Sequence, residues 1–264
     1  MAIQSYFGIV ANVQIHEETV EKHFVDVTRR SMYKAEEEGL RFCATFGFTP
    51  LLLALDTKKY ILTMQRVGKC DALDWWIQYG EDPSAKGAMK EAAKLLRRQL
   101  LFLHDHAVYH GDVKPENFTF QFDDADPYTI SRLYLIDFAT SSFLNTNDPT
   151  HRTVHVYSDF YSSPESTFEM YRDSKRDDVW GFIACLFVWI SDGTPMFGQN
   201  DFWHSSFKDW YYHGHFWYWE DLVAHETMSP RKVETFKSWF TALKFNKDGF
   251  EYPSEEEIDE LFEP

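Results

Sequence analysis

Basic residues are scarce in this chain. Its 26 lysines and arginines stand against 42 aspartates and glutamates, a formal net charge of -16 over 264 residues. Such a surface repels nucleic acid phosphates, so direct DNA or RNA binding is not expected, while a basic protein would be attracted to it. Cysteine is scarce as well: Cys43, Cys70 and Cys185 are odd in number and far apart, which argues against a disulfide framework and a zinc knuckle and for buried thiols. No long apolar run is present. The most apolar stretch, Gly181 to Ile190, is too short to span a bilayer, and no basic segment followed by an apolar one opens the chain. A soluble intracellular protein without membrane contact is the expectation. Glycine is thin where it would matter for phosphate: only Gly8 precedes Lys22, so closely spaced glycines cannot bring backbone amides up to an anion there.

What the chain does have is apolar and aromatic material. At 44% hydrophobic content it can bury a full core, and its length suits one bilobal enzyme or two small domains. Aromatics crowd into Phe202-Trp203, Trp210-Tyr211-Tyr212 and Phe216-Trp217-Tyr218-Trp219, so segment 202–219 is either core or, if partly exposed, a docking surface. Tyr6 to Ile15 and Thr19 to Phe24 read as two short strands joined by His16-Glu17-Glu18. Tyr33, Leu40 and Cys43 recur at helical spacing between Arg29 and Phe46, giving a helix that ends near Gly47 and Pro50. Strands Leu51 to Leu55 and Tyr60 to Met64 complete a small, mostly β lobe, and Arg66 to Lys69 reads as a hinge. Helices then dominate: Ala72 to Tyr79, Lys86 to His104 on a stripe from Met89 to Leu103, and Asp178 to Ile190, apolar almost all round and therefore buried.

The polar residues that matter most fall in two runs, His110-Gly111-Asp112-Val113-Lys114-Pro115-Glu116-Asn117 and Leu135-Ile136-Asp137-Phe138-Ala139. Asp112 can accept a proton from an attacking hydroxyl, Lys114 can neutralise a moving phosphoryl group, and Asn117 and Asp137 are oxygen ligands suited to hard Mg²⁺. The runs resemble the catalytic loop and metal-binding turn of the eukaryotic protein kinase superfamily, with His-Gly-Asp for H-R-D and Asp-Phe-Ala for D-F-G. Strand-like Phe118 to Phe122 and Leu133 to Ile136 lie between them, as the hairpin of that family would require.

The resemblance carries further residues. Lys22 is the candidate for the lysine that holds the α and β phosphates of ATP, and its glutamate partner is Glu36, or Glu37 as a close second. Tyr161-Ser162-Ser163-Pro164-Glu165 resembles the A-P-E boundary, and Ser158 stands where serine/threonine kinases carry a hydroxyl that hydrogen-bonds the catalytic aspartate and lysine. Ser174-Lys175-Arg176-Asp177-Asp178-Val179-Trp180-Gly181 and Gly193-Thr194-Pro195 are similar to the casein kinase I and vaccinia-related kinase branch, in which Asp178 would anchor the catalytic loop from below. That branch usually lacks the Pro164-Glu165 pair. The lid of the G-x-G-x-x-G kind is also missing, and Gly111 replaces the arginine that pairs with a phosphorylated activation loop in many kinases.

The resemblance implies an α+β fold: one bilobal kinase-like domain over 1–264, with a small β-rich lobe of one helix at 1–66 and a larger helical lobe at 67–264. ATP would lie beside Met64, Gln65 and Val67, held through Lys22, Glu36, Asn117 and Asp137, with Mg²⁺ on Asn117 and Asp137. Asp112, Lys114, Asn117 and Ser158 would form the catalytic set, and the substrate would be a serine or threonine of a protein. Activation-loop phosphorylation would not be needed. A pseudokinase acting as a binding module, and a small-molecule kinase, are the alternatives. The short front lobe resembles virus-encoded or otherwise reduced kinases.

Overall fold

The computed structural model describes residues 4–7, 11–25, 30–123, 126–143, 161–163, 174–191, 223, 228–245 and 251–263. Ser158, Gly8, Pro164-Glu165, Gly193-Thr194-Pro195 and the aromatic segment 202–219 lie outside them.

Five antiparallel strands open the chain: β1 (Gln4–Phe7), β2 (Asn12–Ile15), β3 (Thr19–His23), β4 (Leu52–Asp56) and β5 (Ile61–Gln65), ordered β1-β2-β3-β5-β4. The segment read as one strand from Tyr6 to Ile15 is therefore two, paired Gln4 with Ile15 and Phe7 with Asn12. Alternation of side chains cannot reveal this reversal, because each arm of a hairpin keeps the same period of two. Between β3 and β4 runs α1 (Arg30–Ala44), whose buried face carries Tyr33, Glu36, Gly39, Leu40 and Cys43 at three- and four-residue spacing. Gly47, at φ 71, ends the turn after it in a backbone conformation that glycine adopts without strain.

The helical part begins with α2 (Ala72–Tyr79), whose cap Asp71 accepts the amide of Asp74 at 2.8 Å, and α3 (Pro83–Asp105), capped by Asp82 with Pro83 in the first turn. One face of α3, from Met89 through Ala93, Leu96 and Leu100 to Leu103, is fully buried. After β6 (Val108–Tyr109) come β7 (Phe118–Asp123) and β8 (Asp126–Leu135), paired Phe118 with Leu135. Strand β9 (Ser142–Phe143) pairs with β6. Helix α4 (Ser174–Ile190) is buried from Arg176 to its end, as expected for a helix apolar on every side. Helices α5 (Pro230–Phe245) and α6 (Glu255–Phe262) close the described chain. A capping box between Ser254 and Glu257 starts α6. The result is a small sheet-rich lobe with one helix, followed by a helical lobe. Among the described residues no helix is long and apolar enough to cross a membrane.

Candidate active site

Strand β3 is an inner strand of the sheet, and its register, Val13 to Lys22 to Leu62, points Lys22 inward. Lys22 is 5% exposed and Glu36 1%. Nζ of Lys22 donates to Glu36 Oε2 at 2.9 Å and to Asp137 Oδ1 at 2.6 Å, so one ammonium ties β3 to α1 and to the turn after β8. Glu37 faces away and takes Arg41 at 3.0 Å, one turn along the same helix. Burial opposes the charge on Lys22, but the carboxylates of Asp137 and Glu36 outweigh it and hold its pKa above the ordinary lysine value. Burial pushes Glu36 up to about 7, with Lys22 opposing and Asp137 adding to the rise. Asp137 is lowered: burial would raise it, and the charge of Lys22 overcomes that.

The β7–β8 hairpin brings the second group of residues to the same place. Asn117 directly precedes β7 and Asp137 follows β8, and the amide of Ile136 donates to the carbonyl of Asn117 at 2.9 Å, closing the neck of the hairpin. Asn117 Nδ2 donates to the carbonyl and to Oδ2 of Asp112, both at 2.8 Å. Lys114 Nζ reaches the same Oδ2 at 2.9 Å. Asp137 has φ 62, in the left-handed region that a non-glycine residue rarely adopts and that is typical of functional turns.

Helix α4 supports this loop from beneath. Asp178, fully buried, accepts the amides of His110 at 2.8 Å and Gly111 at 2.6 Å and the ring of His104 at 2.9 Å. A Cβ on Gly181, one turn on, would collide with the carbonyl oxygen of Val113 and lie 3.0 Å from its Cβ. Glycine is thus required for the helix to approach the loop so closely. His110 bonds Ile136 O at 3.1 Å and packs against Phe138 at 4.9 Å between ring centroids.

A cleft of about 360 Å³ lies between the lobes, and its lining includes Val20, Met64, Gln65, Val67, Asn117 and Asp137. Lys22 and Glu36, both buried, also line it. Asp112, Lys114 and Asn117 form one hydrogen-bonded cluster, and Asn117 and Asp137 meet in the cleft. Several residues of the cleft were missed in the sequence, Thr119, Gly68, Asp71 and Glu116 among them. Thr119, at the start of the hairpin, donates its hydroxyl to Cys70 O at 2.5 Å, and Gly68, at φ 66, abuts it so closely that no side chain would fit. Asp71 and Glu116 line the cleft beside Asp74. Burial raises Asp71 to about 6; the amide of Asp74 opposes this, and the charges of Asp74 and Glu116 add to the rise. The Gly68 turn and the Asp71 cap had local signals, whereas Thr119 acts through Cys70, 49 positions away.

The protein kinase domain family matches residues 46–243, and the chain belongs to that family. The match begins after Lys22 and Glu36, so the fold alone brings those two residues to the site. Calcium-dependent protein kinase 25 of Arabidopsis thaliana is 33% identical over 131 residues, 50% of this chain and 23% of that protein. Calcium/calmodulin-dependent serine/threonine-protein kinase 1 of rice, Oryza sativa subsp. japonica, is 28% identical over 42% of the chain and 18% of its own length. Glycogen synthase kinase 1 of Pyricularia oryzae is 30% identical over 39% of the chain and 24% of its own length. The matched segment thus spans about a quarter or less of these relatives.

Proposed function

We propose that this protein is an ATP-dependent serine/threonine protein kinase, acting as a single domain over 1–264 with its lobes meeting near residue 66. The observation that carries the reading is the double attachment of Lys22 to Glu36 and Asp137 in a cleft that also presents Asn117, with Asp112 bonded to that asparagine and Lys114 to Asp112. Phosphoryl transfer depends on positioning and charge neutralisation, and these residues supply both.

Lys22 would hold the α and β phosphates, and Met64, Gln65 and Val67 would line the place of the base. Asp112 would take the proton from the substrate hydroxyl as its oxygen attacks the γ-phosphorus, and the bond from that phosphorus to the bridging oxygen breaks to release ADP. Lys114 would neutralise the moving phosphoryl, and its pKa stays raised because Asp112 outweighs the opposing effect of burial. Two hard oxygen donors, Asn117 Oδ1 and the carboxylate of Asp137, suit Mg²⁺. Asn117 uses its amide nitrogen on Asp112, which leaves the oxygen for a metal. Two protein ligands are few for that ion, which usually completes its shell with phosphate oxygens and water. Bound there, Mg²⁺ would supply charge neutralisation between the phosphates.

Gly111 supports independence from activation-loop phosphorylation. Its φ of 78 suits glycine, and no guanidinium is available at that position. Ser158 and the aromatic segment 202–219 keep their roles as proposals, the first as a hydroxyl for Asp112 and Lys114, the second as a docking surface for a protein. The sequence of the run Ser174 to Gly181 supports the casein kinase I and vaccinia-related kinase branch, and Asp178 within it would anchor the catalytic loop. A second reading, a pseudokinase, is favoured by the single glycine before Lys22 and by Ala139 in the metal-binding turn.

The deciding experiment is transfer of radiolabel from γ-labelled ATP with Mg²⁺ to basic and acidic model proteins, using wild type and Asp112→Asn. Label on protein serine or threonine is expected, reduced about a hundredfold or more in the variant with nucleotide binding kept. Equal transfer by both proteins, or none by wild type, contradicts the reading, and label on hydroxylated metabolites alone would favour a small-molecule kinase.

A further inference from the structure

Gly39 lies in the interior of α1, where glycine weakens a helix relative to alanine. It is buried and follows Glu36 by one turn, on the same face. A Cβ built on it would lie 2.5 Å from Cβ and 2.6 Å from Cδ1 of Phe138, and closer still to Cγ, where real Cβ atoms essentially never come below 3.0 Å. These atoms are the root of the Phe138 side chain, so a rotation of its far end does not relieve the clash. Phe138 is itself fully buried and also rests against the ring of His110. It directly follows Asp137, the residue with φ 62. Helix α1 therefore meets the site at two points a turn apart: Glu36 grips Lys22, and Gly39 admits Phe138.

We propose that Gly39 is a positioning residue for Asp137. Its missing side chain sets how deeply Phe138 seats against α1, and that depth fixes the turn from which Asp137 presents its carboxylate to Lys22 and to a metal. This rests on the reading of Asp137 as the metal ligand. A contrasting glycine lies in α3: a methyl group on Gly87 would meet nothing within 4 Å among the described residues, so alanine there should change only helix propensity.

Calorimetric titration of ATP with and without Mg²⁺, and of adenosine, tests this on wild type, Gly39→Ala and Gly87→Ala. Wild type and Gly87→Ala are expected to bind ATP at least about tenfold more tightly with the metal than without it. Gly39→Ala is expected to lose most of that ratio while binding adenosine as wild type does, since Met64 and Val67 are untouched. An unchanged ratio in Gly39→Ala overturns the proposal, and so does an equal fall in adenosine affinity, which would signal general damage. If Gly39→Ala does not fold, Phe138→Gly is compared with and without it, because removing Cβ, Cγ and Cδ1 takes away the atoms of the clash. Equal ratios in that pair support the coupling and a further fall overturns it. A wild type with no metal effect would sink the reading of Asp137 itself, a result visible without any Gly39 variant.

Discussion

Asp71 does two things at once: it caps α2 by accepting the amide of Asp74, and it places a carboxylate in the cleft beside Asp74 and Glu116. Its pKa of about 6 lies above the ordinary carboxylate value of 3.8, so the ionised form is disfavoured in the folded protein. The resulting loss of stability is present in full above pH 6 and fades as pH falls towards 4. Asp71→Asn keeps a good capping oxygen and removes the charge. It is expected to stabilise the protein at pH 8 by about 1 kcal/mol, after allowing for solvent screening of a half-buried group, with no gain left at pH 4. Thermal unfolding at the two pH values checks this, and a variant less stable than wild type at pH 8 would show that the charge itself is needed. The place of such residues in the cleft was not legible in the sequence. Asp112, Lys114 and Asn117 lie within six positions of one another, so their proximity is a local matter, whereas the surroundings of Asp71, Thr119 and Gly39 arise from distant segments. Glu36 and Glu37 are neighbours in sequence, and only the phase of α1 separates them, sending one to Lys22 and the other to Arg41.

At the scale of elements, α4 carries more than its apolar composition suggests. Its burial could be read from the run of apolar residues, but its first turn could not, because the run starts at Asp178 and the helix at Ser174. The anchoring role of Asp178 came only through the family resemblance, since the amides it accepts lie 67 and 68 positions away. A buried carboxylate that accepts two backbone amides and a histidine fixes the loop from His110 to Asn117 from one side, while Gly181 lets the helix come close enough to do so. Asp178→Ala removes those acceptors and is expected to cost about 3 kcal/mol, with phosphoryl transfer falling more than nucleotide affinity. The urea midpoint and the two activities decide it: a cost well under about 1 kcal/mol would mean that the loop is held by its other contacts. The first hairpin teaches a different lesson. A strand period cannot show where a chain doubles back, so the segment from Tyr6 to Ile15 divides into β1 and β2 only when the pairing is seen.

For the whole molecule, family membership rests on residues 46–243, yet the cleft is completed by a lobe that lies mostly before them. Helix α1 and strand β3 bring Glu36 and Lys22 to Asp137, and that junction spans both lobes. The central claim is that this junction still serves phosphate and metal although only Gly8 precedes Lys22. Titration of wild type with adenosine and with ATP plus Mg²⁺ tests it most directly. The account predicts that ATP with the metal binds at least about tenfold more tightly, a difference of roughly 1.4 kcal/mol. Equal affinities, or no binding of either ligand, would contradict it.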